Sequence, residues 1–134
     1  MYSVAVSGHA MIAHSLVGES FGPAQQLHGA TYEVEMEVRR AELDGNGLVC
    51  DIGLAKALLD EALGDFAYRN LDEVAAFRGR NTTAEFLAGE IFRRVKPRIA
   101  AGALGPGTAG ALASLRIRLR ESPIAWAAFE GPLS

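Results

Sequence analysis

The chain has 134 residues, 49% of them hydrophobic and 22% charged, with a formal net charge of −3. That length fits one domain with a real core and is too short for two. The slight acidity and the absence of a Lys/Arg cluster argue against a nucleic-acid binder, and no apolar run approaches the roughly 20 residues that span a bilayer.

The N-terminus, MYSVAVSGHA, lacks the basic start and continuous apolar stretch of a signal peptide. The lone Cys50 forbids an intrachain disulfide. Together these features point to a cytoplasmic protein. Residues 2–14 read as a strand, with Val4, Val6, Ala10, Ile12 and His14 on one parity and Ser7, His9 and Met11 on the other. A Gly- and Pro-containing connection over 17–26 leads to a second strand over 28–40. There Tyr32, Val34, Met36 and Val38 alternate with Glu33, Glu35 and Glu37. Residues 42–47 carry turn chemistry, and 48–51 read as a short strand or extended exit.

From Ile52 to about Phe66, Leu54, Leu58, Leu59, Ala62 and Leu63 have helical spacing, with Asp51 placed as N-cap. A polar loop around 70–81 precedes a second helix expected over 83–96, stopping before Pro97. Thr82-Thr83-Ala84-Glu85 has the spacing of a capping box, and Phe86, Leu87, Ile91, Phe92 and Val95 supply the buried stripe. The Gly-rich stretch 102–110 lacks the lysine and spacing of a phosphate loop and reads as a linker. The order is β-β-α-α-β, an α+β class.

The last strand, 114–121, alternates strictly: Leu115, Ile117 and Leu119 on one face, Arg116, Arg118 and Arg120 on the other. The arginines can pair with Glu33, Glu35 and Glu37, line a channel, or simply be solvated. Glu121 falls on the aliphatic parity where the strand ends. A carboxylate held there costs several kcal/mol, on the order-of-magnitude scale, without a partner. A ligand with N–H donors is one answer, and a frayed, solvated strand end is the other.

His14 and His28 share the aliphatic parity of the first two strands, while His9 faces the opposite way. Two inward imidazoles are the raw material of a zinc site, yet zinc normally takes at least three protein ligands; two alone also suit hydrogen-bonded core residues.

Six segments in order resemble the 6-pyruvoyltetrahydropterin synthase and 6-carboxytetrahydropterin synthase family. They are IAHSL around His14, LHGATY around His28, LDGNGLVCDIG ending at Gly53, FAYRNLD around Tyr68, NTTAE ending at Glu85, and ESPIAW starting at Glu121. The resemblance implies a T-fold over residues 1–134: a four-stranded antiparallel sheet with two helices on one face. It also implies subunits joined edge to edge into an oligomeric barrel, a trimer or hexamer. Glu121-Ser122 matches the family's pterin anchor, a carboxylate able to accept two parallel N–H bonds from a pterin or a purine-like ring. Thr83 matches a threonine beside that ring. Glu85 is a further contact, with an alternative role as the partner in the capping box.

The departures from the family concern its chemistry. Of the three zinc histidines, His14 and His28 are kept and the third position is Ala30. Zinc binding would then need His9, Gln25, Gln26 or a neighbouring subunit, and His9 would need a bulge to turn inward. The usual catalytic cysteine aligns with Ala24, and Cys50, at an aliphatic position, reads as a small buried residue. The family's Asp-His pair falls on Ala67-Tyr68, or on Asp65-Phe66 in an alternative alignment. Tyr68 is a poor general base with an ordinary pKa of about 10. Glu19 is the only carboxylate in the connecting loop available as a substitute base. These residues imply a reduced-pterin binder with two alternatives: a lyase acting on 7,8-dihydroneopterin triphosphate by an altered mechanism, or an inactive pterin-binding, structural or regulatory homo-oligomer.

Overall fold

Strict alternation over 2–14 and 28–40 becomes two long strands with the expected ends. In the computed structural model, which describes residues 1–133, β1 (Tyr2–His14) and β2 (His28–Arg40) pair antiparallel from Tyr2 opposite Arg40 to His14 opposite His28. Helix α1 (Ile52–Gly64) starts at Asp51, whose side chain accepts the Leu54 N–H at 3.0 Å. A two-residue strand β3 (Arg69–Asn70) runs parallel to β1. After it come helix α2 (Ala84–Ala100), β4 (Ser114–Ser122) and β5 (Ala125–Pro132). The sheet order is β3-β1-β2-β4-β5.

Both helices cover the same face of this sheet. Val34, Met36 and Val38 from β2 and Leu115, Ile117 and Leu119 from β4 are buried beneath Leu59, Leu63, Ile91 and Val95. At about 25 cal/mol per Å² of apolar surface removed from water, this layer is the main favourable contribution to the fold. The approach is close at β5, where a Cβ added to Gly131 would sit 2.9 Å from the Phe92 ring.

The opposite face carries a ladder of charge. Glu33, Glu35 and Glu37 stand directly across from Arg120, Arg118 and Arg116. Arg118 bonds Glu35 at 2.9 Å, and Arg116 lies 3.5 Å from Glu37 and 3.9 Å from Glu35. Arg118 and Arg120 also lie over Trp126, 5.7 and 5.3 Å from its ring centroid. Of the roles open to these arginines, Arg116 and Arg118 pair with the glutamates within the chain, while Arg120 lies over Trp126.

Four expectations need correction. First, a strand follows the expected last one: β5 returns from a tight turn at Pro123 and Ile124. Second, of the two readings of residues 48–51, short strand or extended exit, the strand does not form. Their backbone is held by the Asp44 carboxylate, which accepts the N–H groups of Asn46 and Leu48 at 2.8 and 2.9 Å, and by Arg40, which reaches the Val49 carbonyl at 3.3 Å. Third, α2 continues through Pro97 to Ala100. The proline forfeits one backbone bond near the helix end, and the extra turn buries Ile99. Fourth, the cap of α2 is Thr83, whose hydroxyl accepts the Phe86 N–H at 3.2 Å. The third helical position is therefore Phe86, and Glu85 closes no reciprocal box. No helix among the described residues is long and apolar enough to cross a membrane.

Candidate functional site

The ends of β1, β2 and β4 meet the start of α2 around a cleft of about 680 Å³. His14 comes from the end of β1 and Leu16 from just beyond it, Phe21 and Ala24 from the short 3-10 turn Glu19–Gln25, and residues 28–32 from the start of β2. Thr83, Ala84 and Glu85 close it from α2, and Glu121 from β4.

His14 and His28 are cross-strand partners, their rings edge to face with centroids 4.6 Å apart. Nδ1 of His14 lies 3.0 Å from both the carbonyl and the hydroxyl of Thr82, and Nδ1 of His28 lies 2.8 Å from the Gln26 carbonyl. A carbonyl can only accept, so each Nδ1 carries a proton, and in the neutral ring Nε2 is the nitrogen with the lone pair. Burial, followed by the neighbouring His28 ring, pushes the His14 imidazole below its ordinary pKa; the Thr82 carbonyl and Asp72 pull the other way.

A metal-binding imidazole usually has its other nitrogen anchored to a carbonyl or carboxylate in this way, which fixes the ring's orientation. The set stops at two, because Ala30 presents only a methyl group to the cleft. Among the described residues no cluster of three His, Cys, Asp or Glu side chains is placed to hold a metal. β1 and β2 pair without a bulge, so His9 stays on the opposite face. The Gln25 side chain donates its Nε2–H to the Gly22 carbonyl at 3.1 Å, which leaves its amide oxygen free.

At the other end of the cleft, the β4–β5 register shifts between Arg120 and Ser122, leaving Glu121 without a ladder partner. The bulge turns its carboxylate out to the rim, where it is exposed. Its sequence parity had placed it against apolar surface, and bulges re-aim side chains in this way. Glu85, freed from capping, is also exposed and faces the same cleft. Both carboxylates act on Tyr32, whose residue is 2% exposed. Burial first, then Glu121 and Glu85, push the Tyr32 phenol up to about 12. The phenol is therefore a neutral group between two acids at physiological pH.

Tyr32 and Phe21 were not singled out from the sequence as cleft residues. Tyr32 read as one more apolar position of an alternating strand, and its place two turns of the pleat beyond His28 was the available signal. The two other catalytic candidates lie elsewhere. Glu19 is exposed and does not line the cleft. Tyr68 is 86% exposed at the sheet edge, with φ 59° and its N–H bonded to the Met11 carbonyl at 2.7 Å. Cys50 is buried, as expected, and burial pushes its thiol up.

The cleft thus offers two carboxylates at one end, a neutral phenol at its base and two imidazole lone pairs at the other end. Comparison with solved structures places this arrangement in a known fold. 6-Pyruvoyl tetrahydropterin synthase from Caenorhabditis elegans superposes with a TM-score of 0.78 at 22% identity, over 97% of this chain and 95% of that one. The enzyme from Plasmodium vivax gives 0.77 at 16% identity, over 98% of each chain. That from Plasmodium falciparum gives 0.74 at 16% identity, over 97% and 98%. No curated protein sequence matches significantly. The family profile for 6-pyruvoyl tetrahydropterin synthase matches residues 3–132. With the five-stranded sheet and two helices agreeing as well, the chain belongs to the 6-pyruvoyl tetrahydropterin synthase family.

Proposed function

We propose that this chain binds a reduced pterin, or a heterocycle with the same donor pattern, in the cleft between the β4 end and α2. The observation that carries the reading is the convergence of Glu121 and Glu85 on Tyr32. A pterin presents its 2-amino group and a ring N–H side by side, and a carboxylate accepts both as a bidentate, charge-assisted pair. Glu121 is that carboxylate, Glu85 a second acceptor, and Thr83 a polar contact at the start of α2. The functional unit is a homo-oligomer, a trimer or hexamer joined through the exposed sheet edges.

For the chemistry, a lyase acting on 7,8-dihydroneopterin triphosphate would have to draw protons with the His14 or His28 imidazoles, without the cysteine and Asp-His pair of its relatives. Binding without turnover is favoured by a specific observation: Ala24 and Ala30 both line the cleft and present only methyl groups there. Mass spectrometry of protein incubated with 7,8-dihydroneopterin triphosphate separates the two. A phosphate-eliminated or side-chain-cleaved product supports the lyase. Intact substrate together with saturable calorimetric binding of 7,8-dihydroneopterin supports the binder. Absence of both rejects the pterin reading.

A further inference from the structure

The β2–β4 ladder stops at Glu33 opposite Arg120, and the next residues along the two strands are Tyr32 and Glu121. Tyr32 belongs to the buried core and stands opposite Ala10 of β1. Only 2% of the residue is exposed, yet it lines the cleft.

Its hydroxyl makes no hydrogen bond among the described residues; Glu121 and Glu85 reach it as neighbouring charges only. Nor is that hydroxyl sealed inside. Among the described residues, Nε of Arg116 is the one buried side-chain nitrogen or oxygen that lacks both solvent and a partner. The little exposure that Tyr32 keeps therefore includes its hydroxyl, and the space it meets is the cleft. Burial and the two acids hold the phenol in its protonated form, so it offers an O–H. Beside it, the Glu121 and Glu85 carboxylates can only accept.

We propose that Tyr32 is a specificity-determining residue of this cleft: its O–H donates to a ring carbonyl that lies next to the N–H taken by Glu121. This role presupposes that the ring binds at Glu121, as proposed above. Along one edge a pterin carries an amine, a ring N–H and a carbonyl, in that order. The two oxygens of Glu121 accept from the first two, and the adjacent phenol donates to the third. Where that carbonyl is replaced by a poor acceptor, a buried O–H is left without a partner, which is the costly arrangement. Tyr32 thereby selects 2-amino-4-oxo rings over rings of similar shape that lack the oxygen.

The test is calorimetric titration of the full chain, wild type and Tyr32→Phe, with 7,8-dihydroneopterin and its 4-thioxo analogue. The analogue keeps the amine and the ring N–H and replaces only the carbonyl oxygen by sulfur, a weaker acceptor. The wild type is expected to prefer the oxo ring by roughly three- to tenfold, the worth of one neutral hydrogen bond. Tyr32→Phe should lose about that factor for the oxo ring and bind the two rings within about twofold of each other. A purely structural Tyr32 would weaken both rings alike, and that result overturns the proposal. So does equal affinity of the wild type for the two rings, a comparison that needs no variant to fold. If both rings bind equally, the ring reading stands and Tyr32 loses this role; if neither binds, the ring reading itself fails and takes this role with it.

Discussion

His14 and His28 face each other across the β1–β2 ladder, and two residues further along β2 the same face carries Ala30, opposite Ile12. The imidazole pair is pre-oriented by its bonds to Thr82 and Gln26, and a third donor is what is missing. Ala30→His should supply it. After dialysis against excess zinc and removal of free metal, the variant should retain about one zinc per chain, the complement of a three-histidine site. The wild type should retain far less. Equal zinc content in the two proteins would show that the third donor comes from elsewhere.

The Glu121 carboxylate raises the Tyr32 pKa and is also the proposed ring acceptor. Glu121→Gln should therefore have two effects. Affinity for 7,8-dihydroneopterin should fall by roughly one to two orders of magnitude, because one carboxylate oxygen becomes an N–H facing an N–H. The highest-pH step of an ultraviolet tyrosine titration should move down from about 12, with Tyr32→Phe removing it altogether. The sign for stability follows. The folded protein holds the Tyr32 proton more tightly than the unfolded chain, so this contribution is whole below about pH 10 and is lost as pH rises toward 12.

Thr83 caps α2, and Glu85 does not complete a box. Urea unfolding should show Thr83→Ala costing about 1 kcal/mol, the usual penalty for a lost N-cap. Glu85→Gln should change stability by less than about 0.5 kcal/mol, as for a surface site without such a role. A Glu85→Gln cost equal to that of Thr83→Ala would restore the reciprocal box.

Ile124 and Trp126 are 90% and 52% exposed beside the unpaired edge of β5. Apolar side chains along a free edge suit pairing with another copy. Sedimentation velocity should find a trimer or hexamer, and Ile124→Asp/Trp126→Asp should shift it toward the monomer. A monomeric wild type at micromolar concentration would remove the oligomer from the proposal.

The framework of this fold was legible wherever one periodicity dominated. Alternation fixed β1 and β2 at both ends, and Asp51 announced α1. The losses have local causes. β5 alternates alanine, phenylalanine and glycine against tryptophan, alanine and glutamate; Phe129 packs on Phe92, but at Gly131 the same ring leaves no room for a side chain, so the apolar alternation is weak. The Thr82-Thr83 pair offered two frames for the cap, and only the tertiary bond from His14 to Thr82 decides between them. The site was half legible. The histidine pair and Glu121 stood out as polar residues on an apolar parity, whereas Tyr32 was indistinguishable from its aliphatic neighbours until two acids from distant segments were folded beside it.

The facing rows of β2 and β4 bear on folding as well as on the folded state. On the open face β2 carries Glu33, Glu35 and Glu37 with Arg39 at its end, and β4 carries Arg116, Arg118 and Arg120. A β2 strand meeting a β2 strand of another molecule would set acid against acid, and two β4 strands would set base against base. Only the heterotypic pairing gains from these charges, and within one chain its partner is always present. While the chain is still assembling, with both strands bare and rich in aliphatic residues, the rows disfavour like-with-like contacts between molecules, the contacts that would seed aggregates.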